Sequence, residues 1–287
     1  MSLDPGAPFG PEPTEEFPRT GRRRRRRRTR RHRSRGFAWM LPHLFTTGNL
    51  AAGFYAIVRA AEGDLERAAL AIVVAGILDG LDGRVARRVG ATSPFGLEYD
   101  SIADAVSFGV APAMIAWSGG ALQDLGWTGW VLAFVYTVCA ALRLARFNVT
   151  PPRWAGRFQG LPSPAAAGMV AASALFADFT REHAPLELPA LLPGLGVAAL
   201  GLLMVSSIPY RSFKDLDVRG SYRTLVGMVI VFAVILLEPY VTLFLLGLAY
   251  ISSGPAEFVW RWRTGRELEP SVTSEPLPAP DPRGPLS

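Results

Sequence analysis

The chain has 287 residues, 49% of them hydrophobic and 19% charged, with a mean hydropathy of +0.22, high for a soluble protein carrying 24 prolines. Its net charge of +6 hides an asymmetry: Arg22 to Arg28, Arg30, Arg31, Arg33 and Arg35 hold eleven positive charges, and without them the balance is −5. One cysteine, Cys139, excludes an intrachain disulfide and a cysteine-based zinc site, and three scattered histidines (His32, His43, His183) argue against a histidine-rich metal centre.

Residues 1–36 run from acidic, proline-rich sequence into the arginine tract and contain almost nothing apolar. They are expected to form a disordered cytoplasmic tail. No cleavable small-residue site follows, so the tail does not read as a secretory signal. Without aromatic interleaving or folded presentation the tract makes no case for nucleic acid, and none is expected as a partner. Beside a membrane span, it either holds the tail to anionic lipid, at about 1 kcal/mol per arginine, or only determines topology.

Between residues 37 and 263 the chain divides into apolar stretches of roughly 17 to 22 residues, the length a helix needs to cross about 30 Å of hydrocarbon. Eight are expected, near Leu44 to Ala60, Arg67 to Gly83, Glu98 to Trp117, Gly126 to Phe147, Ser163 to Thr180, Pro189 to Ile208, Tyr222 to Leu237 and Pro239 to Trp260. The predicted class is an all-α integral membrane protein of about eight transmembrane helices, partnered by the lipid bilayer. Trp39, Trp127, Trp130 and Trp260 fall near span ends, where an aromatic belt sits. Residues 264–287, rich in Pro, Ser and Glu, are expected to form a second disordered cytoplasmic tail.

Arginine placement sets the orientation. With the N-terminal tract inside, the cytoplasmic loops hold Arg84, Arg87 and Arg88, then Arg143, Arg146, Arg153 and Arg157, then Arg211, Lys214 and Arg219, then Arg261, Arg263 and Arg266. The opposite loops hold mostly Glu62, Asp64, Glu66, Asp124, Glu182, Glu187 and Glu238. Both termini are therefore expected in the cytoplasm.

Spans avoid charge, so the acids in LDGLDGRVARRVGATSPFGLEYDSIADAVSF need a reason. Asp79 and Asp82 are three apart and Asp100 and Asp104 four apart, which puts each pair on one helical face. Two antiparallel helices joined by a short loop can bring the pairs together at the cytoplasmic end. Four carboxylates at ~4 to 6 Å repel by roughly 1 to 4 kcal/mol per pair, depending on the dielectric, so the cluster implies bound cations. Hard oxygen ligands without His or Cys select magnesium, manganese or calcium over zinc. Gly83 and Ala86 leave the helix surface bare for a flat or bulky group, and Arg87 is suited to phosphate.

Asp79, Asp82, Gly83, Ala86, Arg87, Gly96, Asp100 and Asp104, at these spacings over 26 residues, resemble the signature of the CDP-alcohol phosphatidyltransferase family without a departure. The resemblance implies metal-dependent displacement of CMP from a CDP-linked lipid by an alcohol hydroxyl, with Mg²⁺ or Mn²⁺ as cofactor. It implies a six-helix membrane core, often a homodimer, to which two further spans are added here. It also assigns Asp79, Asp82, Asp100 and Asp104 to the metal, Asp104 to the general base, and Asp79, Gly83, Ala86 and Arg87 to the CDP lipid. PHLFTTGNLAAGFYAI at 42–57, DSIADAVSFGVAPA at 100–113, ALRLARFNV at 141–149 and FQGLPSPAAAG at 158–168 resemble the phosphatidylserine synthase branch of that family. That branch implies CDP-diacylglycerol and L-serine as substrates and a bacterial inner membrane as location. Two further readings stay open: a sister transferase using glycerol 3-phosphate or inositol phosphate, and, from another class, a membrane transporter, which would show interrupted helices repeated in two halves. The RLARFN end of the fourth span is either a positive-inside anchor or an acceptor site in which Arg143, Arg146 and Asn148 bind a carboxylate or phosphate. GLPSPAAAG is either a proline-marked helix start with small residues for close packing or part of the site.

Overall fold

A computed structural model describes residues 22–89, 93–119, 121–150, 157–183, 189–211 and 222–265. Each of the eight expected stretches coincides with a helix: α1 (Arg22–Ala61), α2 (Leu65–Val89), the continuous run α3 (Pro94–Asp104), π-helical segment (Ala105–Val110) and α4 (Ala111–Ser118), then α6 (Trp127–Val149), α7 (Ser163–His183), α8 (Leu191–Val205), α9 (Tyr222–Leu237) and α10 (Pro239–Thr264). A single turn, α5 (Ala121–Asp124), precedes α6. Three of these, Pro94–Ser118, Trp127–Val149 and Pro239–Thr264, are long and apolar enough to cross a membrane, and Leu191–Val205 is a shorter apolar helix.

Two boundaries differ from the sequence expectation. Helical backbone begins at Arg22, so the arginine tract continues the first span backwards; arginine is a good helix former, and the apolar turns after it supply the costly nucleus. Residues 1–21 and 266–287, the outer parts of both expected tails, lie outside the described residues. The sixth stretch is shorter than expected. Helix α8 has 15 residues, about 22 Å at 1.5 Å per residue, because the chain leaves the helix at Ser206 in extended geometry.

The helical architecture carries one short exception. Strands β1 (Arg157–Gln159) and β2 (Pro209–Arg211) pair antiparallel, with Arg157 opposite Arg211, Phe158 opposite Tyr210 and Gln159 opposite Pro209. Gly160 follows β1 at φ +75°, where a Cβ would run into the Met204 carbonyl; a left-handed residue this close to backbone has to be glycine. Its N–H donates to Ile208 O, and the Leu161 N–H donates to Leu203 O. Three-residue strands carry too little alternation to be read as strands from sequence.

Small residues set the packing. Ala56 and Ala60 of α1 and Ala68, Ala69, Ile72 and Ala75 of α2 are buried, which lets two backbones approach closely, as membrane helix pairs require. Phe108, Ile115, Tyr136, Leu161, Met204 and Tyr210 fill the centre. Tyr136 donates its hydroxyl to the Phe108 carbonyl inside the π-helical segment, where the widened turn disturbs regular backbone pairing. On the outer face of α6, Trp127, Trp130 and Phe134 stack in sequence, exposed as belt residues are.

Candidate active site

The C-terminal part of α2, the acid-bearing α3 and the C-terminal end of α6 come together: Asp79 and Asp82 of α2 meet Asp100 of α3, and Asn148 of α6 bonds to Ser101 of α3. Ser93 starts α3 by accepting the Gly96 N–H at 3.0 Å, with Pro94 at the first helical position, a pairing that defines a helix start. This fixes where Asp100 and Asp104 emerge.

Asp79, Asp82 and Asp100 converge, with one carboxylate oxygen from each lying within 4.8 Å of the others. Asp82 is 5% exposed and accepts a hydrogen bond from Thr46 Oγ1 at 2.9 Å. Asp100 Oδ1 is buried and accepts no hydrogen bond. Three hard oxygen donors in one place, one of them without a hydrogen atom to satisfy it, fit a divalent cation and no softer metal. Asp104 stands apart from this group of three. It is 9% exposed and accepts from Asn49 Nδ2 at 2.9 Å, and Asn49 is itself held because Ser107 Oγ donates to its carbonyl at 2.9 Å. The π-helical segment begins immediately after Asp104 and carries Ser107 to α1.

Gly83, next to Asp82, and Ala86, one turn beyond it, are half-buried on α2. Arg87 lies on the same helix, but its side chain falls outside the described residues.

The cationic end of α6 forms a second feature. Arg143, 9% exposed, donates from NH1 to Ser163 Oγ at 3.0 Å, while its Nε is buried without a hydrogen-bond partner. Its charge is within electrostatic reach of Asp104 and Asp79. Arg146 donates to Val205 O at 3.0 Å and to Gln159 Oε1 at 2.8 Å. Arg143, Arg146, Phe147, Thr150, Arg157, Phe158 and Gln159 line a cavity of about 200 Å³. Asn148 is turned elsewhere: exposed, it donates from Nδ2 to Ser101 Oγ at 2.9 Å, tying α6 to α3 instead of facing the cavity with the two arginines.

Thr46, Asn49 and Ser163 escaped the sequence reading as individual site residues. Thr46 and Asn49 were visible only as polar residues inside an apolar span, and Ser163 only as a helix start.

Comparison with known proteins agrees with the geometry. The family model described as CDP-alcohol phosphatidyltransferase matches residues 39–205. A CDP-diacylglycerol–serine O-phosphatidyltransferase of Mycobacterium leprae is 36% identical over 224 residues, 75% of this chain and 73% of that protein. Proteins of the same name from Helicobacter pylori (strain 26695) and Bacillus subtilis are 34% and 38% identical, over 70% and 61% of this chain and 83% and 91% of their own lengths. Matched over more than half its length, with the signature acids gathered at one end of its helices, the chain belongs to the CDP-alcohol phosphatidyltransferase family.

Proposed function

We propose that the protein transfers the phosphatidyl group of CDP-diacylglycerol to the hydroxyl of L-serine, giving phosphatidylserine and CMP. The observation that carries this reading is the buried Arg143, which lines an arginine-walled cavity, is within electrostatic reach of Asp79 and Asp104, and keeps one N–H unused. The similarly named relatives point the same way.

Asp79, Asp82 and Asp100 would hold a divalent cation, Mg²⁺ or Mn²⁺, with Asp104 beside them. Bound there, the cation supplies compensating charge for the pyrophosphate and the developing charge on CMP. Asp79, with the bare surface at Gly83 and Ala86 and the guanidinium of Arg87, receives the CDP moiety. Asp104, its carboxyl oriented by Asn49, takes the proton of the serine hydroxyl as the serine oxygen bonds to the β-phosphorus and the bond from that phosphorus to the CMP oxygen breaks. Arg143 and Arg146 receive the serine carboxylate; Asn148 supports them by holding α6 against α3.

The remaining features follow from the same reading: eight transmembrane helices built on a six-helix core, a homodimer, a bacterial inner membrane, and both termini with the active site on the cytoplasmic side. The transporter alternative gives way to the family. The sister-transferase alternative is separated by assay: CMP release from CDP-diacylglycerol in proteoliposomes is expected with L-serine and not with glycerol 3-phosphate or inositol phosphate, and the reverse pattern would sink the serine assignment. Arg143→Ala is expected to raise the KM for serine well above any change in the KM for CDP-diacylglycerol.

A further inference from the structure

Helix α10 lies outside residues 39–205, which the family model matches, yet it reaches the cavity wall. Glu257 on α10 accepts from both arms of Arg157: NH1 to Oε2 at 2.9 Å and NH2 to Oε1 at 2.8 Å. Arg261 shares Oε1 from one turn further along α10, and Arg211 of β2 lies 3.8 Å from Oε2, so one carboxylate serves three guanidinium groups. The pair is mostly shielded, with side chains 13% and 18% exposed, and a bidentate fork at these distances is the strong form of this contact. Helix α10 is seated so that the contact is reproducible. Tyr210 of β2 donates its hydroxyl to Ile251 O at 3.0 Å, and its ring occupies the space a Cβ on Gly254 would need.

Arg157 is one of three arginines on the cavity wall, and the other two donate hydrogen bonds to neutral acceptors: Ser163 Oγ for Arg143, Val205 O and Gln159 Oε1 for Arg146. Arg157 alone has a carboxylate across both its arms. Three free guanidinium groups around about 200 Å³ would favour a doubly charged phosphomonoester. With Arg157 held through both oxygens of Glu257, a carboxylate that serves three guanidinium groups, and Arg143 within reach of Asp79 and Asp104, the wall keeps less positive charge than its arginines alone would give. It suits a singly charged carboxylate carried by a molecule that also bears an ammonium group.

We propose that Glu257 is a positioning residue that sets the acceptor charge: by engaging Arg157 it makes the cavity accept a zwitterionic amino acid and reject a phosphomonoester. The inference rests on the serine reading above.

The test uses the full chain in proteoliposomes and reads inhibition of serine-dependent CMP release by inorganic phosphate and by glycerol 3-phosphate. Glu257→Gln should strengthen inhibition by both about fivefold, the effect of one uncompensated charge about 4 Å away screened as in water. It should also raise the KM for serine and leave the KM for CDP-diacylglycerol unchanged. Glu257→Asp and the double variant Arg157→Gln/Glu257→Gln keep the local charge and should show wild-type inhibition. Thr150→Lys adds a cation to the same wall without touching α10 and should reproduce the phosphate sensitivity, so the test stays readable if Glu257→Gln does not fold. The proposal is overturned if Glu257→Gln folds and stays insensitive, if a charge-preserving variant becomes sensitive, or if Thr150→Lys has no effect. Wild-type protein that releases CMP with glycerol 3-phosphate and not with serine would instead overturn the serine reading; inhibition by inorganic phosphate against that acceptor would still report on Glu257.

Discussion

Asp104 and the three other acids carry the same charge but keep different company. Thr46 serves Asp82 and Asn49 serves Asp104, both from α1, so one helix positions a member of the cation group and the residue beside it. A positioned base contributes about 10² to 10⁴ in rate. Asp104→Asn is therefore expected to lose kcat by that order while CDP-diacylglycerol still binds with near-normal affinity in the presence of metal, and Asp79→Asn to weaken that binding as well. Lipid-nucleotide binding measured beside single-turnover CMP release separates the two roles. Equal loss of binding in both variants would make Asp104 chiefly a ligand. Asn49→Ala removes a hydrogen bond to a carboxylate, which is worth about 1.5 to 3 kcal/mol, and should lower kcat with the serine KM little changed. The four acids stood out in the sequence because charge in an apolar span is costly. Their partners did not, since a threonine or asparagine in a span is cheap enough to occur without a role.

Among the elements, the β1–β2 hairpin does the most with the fewest residues. It links the loop after α6 to the loop after α8, carries Arg157, and receives the Arg146 bond through Gln159. Gly160→Ala places a Cβ against the Met204 carbonyl in a left-handed backbone conformation. Strain of this kind costs roughly 1 to 3 kcal/mol. Thermal unfolding in detergent should show the loss, and the serine KM should rise as the cavity wall shifts; unchanged stability would mean that the hairpin is not held as described. The helices themselves were legible, because eight apolar runs of spanning length become eight helices. The hairpin was not: Phe158 and Gly160 belong to FQGLPSP, whose proline and serine announce a helix start, and nothing within it announces a strand partner some fifty residues further on.

For the whole molecule, a cation that binds the folded state and not the unfolded one stabilises it by mass action. Mg²⁺ or Mn²⁺ should raise the midpoint of thermal unfolding without any substrate present, and EDTA should reverse this and abolish CMP release. Asp100→Asn should remove the metal-dependent shift; if it persists, the cation sits elsewhere. Orientation has its own check in a Cys139→Ser background, since Cys139 is the sole native cysteine. Cysteine at position 64, between α1 and α2, should react with an impermeant reagent from outside intact cells, and cysteine at position 264 only after the membrane is opened.

Features that depend on near neighbours could be read along the chain: where apolar length suffices for a helix, which face of α2 or α3 holds two acids, and the spaced signature that resembles the family's. Packing alone decided which faces meet. Asn49 reaches Asp104 across 55 positions and Arg157 reaches Glu257 across 100. Helical periodicity names the direction a side chain takes around its own axis but carries no information about the helix that will stand opposite. That partner is chosen by the fit of small residues such as Ala56, Ala68 and Gly254 against what they face, a property of two surfaces together.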